Sequence, residues 1–341
     1  MADDNAVLKV GDTFAGSYRI VGEVGSGNNG VVYLARRELI DRDVALKVLR
    51  PELAKDRELI EALMNEARIA ANLCHPNIVQ ALDAGQCNGI YYLAMEYVKG
   101  RTLEDIRINS PETISLEFLT EVSIQLAAAL DYAWKNFSIV HGDIKPENLI
   151  IADGTHTLRL ADLGLANISG RGGSADGSFM ATPMYVAPEL VSGAAASATM
   201  RSDIYSFGIM LYELVAGKPP FQGDTEEMLR AHVEEEPPPL IGENPDIPRA
   251  LADFIHRMIR KSPEERPESW SEIGDFLRGF RAANFVDYRN GGTTVELAAE
   301  KTSASSGRPP RSFLWLGIIA GALFALFAAA LVVLFVLSNK V

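Results

Sequence analysis

The hydrophobic pattern of this chain changes character once, and that change constrains its fold more than any other feature. From Tyr18 to about Val98 the apolar residues fall in short β-rich runs, YRIVGEV, GVVYLARREL, DVALKVLR and IYYLAMEYV, separated by turn signals. A single helix is predicted among them over Asp56 to Leu73, with Leu59, Leu63, Ala70 and Leu73 at helical spacing. From about Thr102 to Phe280 the pattern is mainly helical. Leu119, Val122, Leu126, Leu130 and Ala133 form one face of a long helix for which Ser115 is the N-cap. Strands segregated from helices in this way predict an α+β chain, with a small sheet-rich lobe followed by a larger helical one.

The pattern ends near residue 280. Residues 281–312 are rich in Gly, Ser, Thr and Pro and read as a flexible tether, in which Thr293 and Thr294 are candidate modification sites. Phe313 to Leu337 is then an uncharged apolar run of 25 residues. As a helix it would reach roughly 37 Å, enough for a hydrocarbon core of about 30 Å, so a membrane span is predicted there. Ser338 to Val341 follow as a short tail. Gly317, Gly321, Ala325 and Ala329 form a small-residue stripe suited to close pairing of two such helices in a homodimer. No secretory leader is expected in the polar, acidic N-terminus.

A net charge of −13 argues against a nucleic-acid partner, which would require a basic face. Cys74 and Cys87 have neither metal-ligand nor disulfide-framework spacing. An apolar fraction of 48% is ample for a core.

Candidate chemistry begins at Gly25-Ser26-Gly27-Asn28-Asn29-Gly30-Val31-Val32, a GxGxxGxV run. The residues behind it read as a strand, so the glycines are expected in a hairpin whose backbone could close over phosphates. A dinucleotide-binding unit would instead open a helix and place an acidic residue about 20 positions on. In DVALKVLR, alternation puts Ala45, Lys47 and Leu49 on one face and Val44, Leu46 and Val48 on the other. A Lys in mid-strand among apolar residues is costly to bury unpaired, and Glu66, within the apolar stripe of the predicted helix, is the expected partner.

Together with HGDIKPEN (141–148), Asp162-Leu163-Gly164, Ala187-Pro188-Glu189, SDIYSFG (202–208) and KSPEERP (261–267), these segments resemble the protein-kinase signature set in both order and spacing. The chain is similar to eukaryotic-like (Hanks-type) bacterial serine/threonine kinases from Tyr18 to about Phe280. The resemblance implies a lead-in over 1–17 and a bilobal kinase domain over 18–280, with lobes at about 18–98 and 99–280. It also implies ATP with Mg²⁺, for which Mn²⁺ could substitute.

By that resemblance Lys47 contacts the α- and β-phosphates and Glu66 holds it, while Asp143 orients the acceptor hydroxyl and Lys145 lies near the γ-phosphate. Asn148 and Asp162 hold the metal. Val24 through Val32 cover the nucleotide, Val32 and Ala45 roof the adenine with Ile150 beneath, and the backbone at Glu96 and Val98 meets its edge. Lys145 and Thr182-Pro183-x-Tyr185 favour Ser or Thr acceptors on proteins. Glu189 is expected to pair with Arg266, and Asp203 to bond the catalytic-loop backbone. Because ATP is cytoplasmic, the kinase domain of a single-pass protein of the cytoplasmic membrane would face inward, in keeping with Arg308 and Arg311 ahead of the span.

Three departures stand out. Gly142 occupies the place of the usual Arg, which would face a phosphate on the activation loop. That loop offers only Ser169, Ser174 and Ser178 and no Thr, so its phosphorylation is expected to be dispensable. Leu163 and Asn29 each replace a customary aromatic residue. HGD also occurs in small-molecule phosphotransferases of the aminoglycoside-kinase type, but these would lack the Ala-Pro-Glu, SDIYSFG and Arg266 features. An inactive scaffold would be expected to lose Lys47, Asp143 or Asp162, and all three are present.

Overall fold

The computed structural model describes residues 7–26, 30–50, 57–162, 182–195 and 197–285, with the side chains at 58, 59, 62, 65 and 66 outside that description. The chain opens with β1 (Thr13–Phe14), β2 (Tyr18–Ser26), β3 (Gly30–Arg37) and β4 (Arg42–Leu49), followed by helix α1 (Arg57–Asn72) and strands β5 (Ala81–Cys87) and β6 (Ile90–Glu96). The strands form one antiparallel sheet in the order β1-β2-β3-β4-β6-β5.

The alternation in β4 has the predicted consequence. Val44, Leu46 and Val48 are fully buried on one face among Phe14, Tyr18, Ile20, Tyr33 and Tyr92. On the other face Leu49 packs with Leu63 and Ala67 of α1 and with Leu93 and Met95 of β6. Covering one face with α1 and the other with the sheet's own aromatic residues leaves Lys47, partly buried, on the α1 side. Leu8 and Phe14 also enter the aromatic core, so the lobe's packing begins ahead of Tyr18.

Strand β7 (Gly100–Thr102) leads into α2 (Leu103–Asn109) and α3 (Leu116–Phe137). Ser115 caps α3 as expected, its hydroxyl accepting from Phe118 N at 3.1 Å. The face carrying Leu119, Val122, Leu126, Leu130 and Ala133 is buried throughout. Strand β8 (Leu149–Ala152) pairs with β7 on one side and with β9 (Leu158–Leu160) on the other in a small second sheet. Further helices are α4 (Pro188–Val191), α5 (Met200–Ala216), α6 (Thr225–Glu234), α7 (Leu240–Glu243), α8 (Arg249–Met258) and α9 (Trp270–Asn284). Helix α5 is buried on nearly every side from Ser202 to Glu213, as a helix at the centre of a lobe must be. A capping box of Thr199 with Ser202 starts it, and Gly217, at φ +75°, ends it in the left-handed region.

The lobes meet at Asn77, whose amide donates to Gln125 Oε1 at 2.8 Å and to Leu158 O at 2.9 Å. Ile78 beside it forms a bridge with Leu160, and Leu73 of the α1 turn packs into the helical-lobe core. The bilobal architecture, sheet-rich then helical, is thus the one the sequence predicts. Among the described residues no helix is long and apolar enough to cross a membrane. The predicted span at 313–337, with its small-residue stripe, lies outside the described residues, as do Thr293 and Thr294.

Candidate active site

The segment His141–Asn148 is held from beneath by Asp203 near the start of α5. His141 N donates to Asp203 Oδ2 and Gly142 N to Oδ1, each at 2.7 Å. Burial pushes the Asp203 carboxyl up to about 7, against the pull of these two amides, which favour the ionised form. For both amides to reach one carboxylate the chain turns at Gly142, where φ is +75°, a value glycine adopts without steric cost. The expected contact between Asp203 and the catalytic-loop backbone is therefore present.

The fully buried His141 has its tautomer set by its neighbours. Nδ1 accepts from Asp143 N at 3.2 Å, so Nε2 carries the proton and donates to Ala161 O at 3.1 Å. Burial lowers its pKa and keeps the ring neutral. The ring thus ties the Asp143 backbone to the residue preceding Asp162.

Three polar side chains converge above this frame. Lys145 Nζ lies 2.6 Å from Asp143 Oδ2. Thr182 Oγ1 donates to Asp143 Oδ1 at 3.0 Å and accepts from Lys145 Nζ at 2.9 Å. Asn148 Nδ2 donates to Asp143 O at 2.7 Å. Asn148 is also tied to the strand ahead of Asp162 through its main chain, its backbone carbonyl accepting from Ala161 N at 2.9 Å, which brings the two residues together. An amide oxygen beside a carboxylate is an oxygen-donor pair of the kind Mg²⁺ takes, with substrate phosphates and water completing its shell. Among the described residues, no three His, Cys, Asp or Glu gather into a self-sufficient metal site.

Lys47 Nζ makes an ion pair with Asp162 Oδ1 at 2.9 Å, both side chains being partly buried. Asp162 itself sits at φ +57°, an uncommon conformation for a residue other than glycine. The expected Lys47–Glu66 pair involves a side chain outside the described residues, so the partner described for Lys47 is Asp162.

Opposite the catalytic segment, Val24, Gly25 and Ser26 end β2 while Gly30, Val31 and Val32 begin β3. Gly25 is in register with Val32, and Ser26 with Val31. Gly27, Asn28 and Asn29 lie outside the described residues. A Cβ at Gly30 would collide with the Val48 carbonyl, so this glycine is a requirement of β3–β4 packing as well as of the loop. Ala45 is two residues from Lys47 on the same face of β4, and Val32 is opposite Lys47 in the register. Val98 packs in the cluster that includes Ala45, and Ile150 is partly buried in β8. Glu96 N donates to Gln80 O, and the Glu96 side chain is paired with Arg159. Leu163, Ser169, Ser174 and Ser178 lie outside the described residues.

Beyond Thr182 the chain is pinned residue by residue. Tyr185 OH donates to the buried Glu213 Oε2 at 2.7 Å, and Ser206 Oγ donates to Tyr185 O at 2.7 Å. Arg107 Nη1 approaches Glu213 Oε1 at 3.6 Å. Motif reading gives no notice of Arg107 or Glu213, because they lie on helix faces with no distinctive spacing. Glu189 and Arg266 form the expected pair, with two parallel bonds of 2.8 Å; Arg266 is fully buried.

A glycine-bearing strand pair and a partly buried Lys in the sheet lobe, with a helical lobe that presents Asp, Lys and Asn, is the arrangement of a bilobal phosphotransferase. Residues 18–274 match the protein kinase domain family, and the chain belongs to that family. It is 36% identical to the serine/threonine-protein kinase PrkC of Bacillus subtilis over 87% of this chain and 45% of that one. Identity is also 36% to a probable serine/threonine-protein kinase of Clostridium acetobutylicum, over 82% of this chain and 42% of the relative. The chain thus spans less than half the length of these two curated relatives. It is 33% identical to PknA of Mycobacterium tuberculosis over 95% of this chain and 83% of that one. The crystal structure of the M. tuberculosis PknI kinase domain superposes with a TM-score of 0.64 at 29% identity, covering 81% of this chain and all of that one.

Proposed function

We propose that the chain is an ATP-dependent serine/threonine protein kinase, tethered to the cytoplasmic membrane by residues 313–337. The convergence of Asp143, Lys145 and Thr182 is the observation that carries this reading. Bound ATP and its divalent cation would supply the phosphoryl group and neutralise its charge, with Asn148 and Asp162 as the metal's protein ligands and Lys47 beside the phosphates. Asp143 orients the acceptor hydroxyl and takes its proton. Lys145, already within reach of the same carboxylate, holds positive charge where the transferring group would develop negative charge. Thr182 bridges the two and occupies the position an acceptor hydroxyl would approach.

Incubating the purified full chain in detergent with radiolabelled ATP, Mg²⁺ and casein tests the reading. Label on casein Ser or Thr is expected, reduced about 10²- to 10⁴-fold by Asp143→Asn. Label on kanamycin and not on casein would identify a small-molecule phosphotransferase, and no label on either would identify an inactive scaffold. Activity is expected to persist when Ser169, Ser174 and Ser178 are all changed to Ala. The tether predicts that the full chain sediments with membranes and that deleting 313–337 releases it.

A further inference from the structure

We infer that His232 of α6 is a positioning residue for the protein acceptor, because it fixes the backbone segment along which an acceptor chain must lie. The inference rests on the protein-kinase reading above. An acceptor hydroxyl delivered to Asp143 arrives beside Thr182, so the polypeptide carrying it must run past residues 182–186. Two successive carbonyls of that segment are held by side chains from below. Ser206 of α5 takes the Tyr185 carbonyl at 2.7 Å, and His232 takes the Met184 carbonyl through Nε2 at 3.1 Å.

The chemistry of His232 is set by its surroundings. Met184 O can only accept, so Nε2 carries a proton. Nδ1 lies 2.9 Å from the Tyr205 hydroxyl, which donates to it when the ring is neutral. The ring is 1% exposed, and burial, reinforced by the nearby Lys261 ammonium, lowers its pKa to about 4, which keeps it neutral. Its main chain is fixed as well. Lys261 Nζ donates to Ala231 O at 3.1 Å and to His232 O at 2.8 Å, near the C-terminus of α6 where a cation is favoured. The same ammonium sits 4.4 Å over the Phe221 ring. A side chain so fully constrained on one side, and bonded on the other to the wall of the acceptor groove, has neither freedom nor exposure to act on substrate directly. Its effect passes through Met184.

The test separates acceptor binding from nucleotide chemistry, using the full chain in detergent with casein as the probe. His232→Phe keeps a flat aromatic ring and removes both bonds, and is expected to raise KM for casein about three- to tenfold, the worth of one buried neutral hydrogen bond. KM for ATP should stay within twofold. His232→Gln retains an amide N–H at the Nε2 position and is expected to restore most of the casein KM. Tyr205→Phe, which leaves the Met184 bond in place, should move it less than His232→Phe does. Equal rises in both KM values, a fall confined to kcat, or no rescue by Gln would overturn the assignment. If His232→Phe fails to fold, His232→Asn, too short to reach the Met184 carbonyl, takes its place: a raised casein KM that His232→Gln does not show supports the role, and a wild-type casein KM in His232→Asn refutes it. If the wild-type chain labels no protein, the kinase reading fails and not this one alone.

Discussion

At the scale of single residues, the site depends on a few groups whose partners leave them little freedom. Gly142 replaces an Arg on the family pattern, and its φ of +75° adds a second constraint. Any L-residue there must enter the left-handed region, so Gly142→Ala should cost about 1–2 kcal/mol in a urea titration while leaving the Asp203 contacts in place. The Glu189–Arg266 pair is the other tightly bound case. Burial raises the Glu189 pKa, but the bidentate guanidinium and the Ser202 hydroxyl outweigh it and hold the carboxyl below its ordinary 4.5. The unfolded chain therefore binds a proton there before the folded one does. Stability from this pair is complete above about pH 4.5 and is lost as pH falls through the folded pKa. Glu189→Gln should flatten that acid limb in pH-dependent denaturation. Arg266→Met, which strands a buried carboxylate, should cost about 3–5 kcal/mol at pH 7. Lys47, Asp143, Lys145, Asn148 and Asp162 could all be nominated by their resemblance to the kinase motifs. His232, Arg107 and Glu213 could not, because each owes its position to a neighbour distant in sequence.

At the scale of elements, patterns with a clear period were legible and those without were not. The Ser115 cap, the apolar face of α3 and the alternation of β4 all follow directly from residue order. Strand β5, ALDAGQC, has neither β-branched residues nor strict alternation, and exists because β6 offers it a ladder from Ala81 to Cys87. The packing of α5 on α8 shows how little room such decisions leave. A Cβ at Gly208 would come 2.6 Å from Ile259 Cγ2 and 2.8 Å from Met258 Cβ. Gly208→Ala is therefore expected to separate these helices at a cost of about 1–3 kcal/mol, measurable as a lower thermal midpoint. A sequence reader sees only a glycine in a helix, with a propensity penalty that Ala would relieve; tertiary packing reverses the sign.

At the scale of the whole molecule, the described residues form two lobes joined by a small set of polar and apolar contacts. Asn77 supplies two of the bonds, to Gln125 and Leu158, from a buried position. Asn77→Ala would leave the Leu158 carbonyl without that donor and should cost about 1–3 kcal/mol. Hydrogen exchange would be expected to speed up at Val79 and Leu160, whose amides bond across this junction, before it does so in the core of α5.

By itself the sequence determined the lobe order, the Ser115 cap and the opposed faces of β4, and by its resemblance to the kinase motifs it nominated the candidate phosphate-handling residues. Each of these depends on local period, on capping chemistry or on residue type at fixed spacing, all of which are written along the chain. Tertiary structure decided what long-range contacts alone can set. Asp203 draws the backbone at 141–142 into its turn, Thr182 meets Asp143 and Lys145 across nearly forty residues of chain, and His232 reaches the Met184 carbonyl from a helix no motif marks. These groups carry no periodic signal because their partners are brought to them by folding.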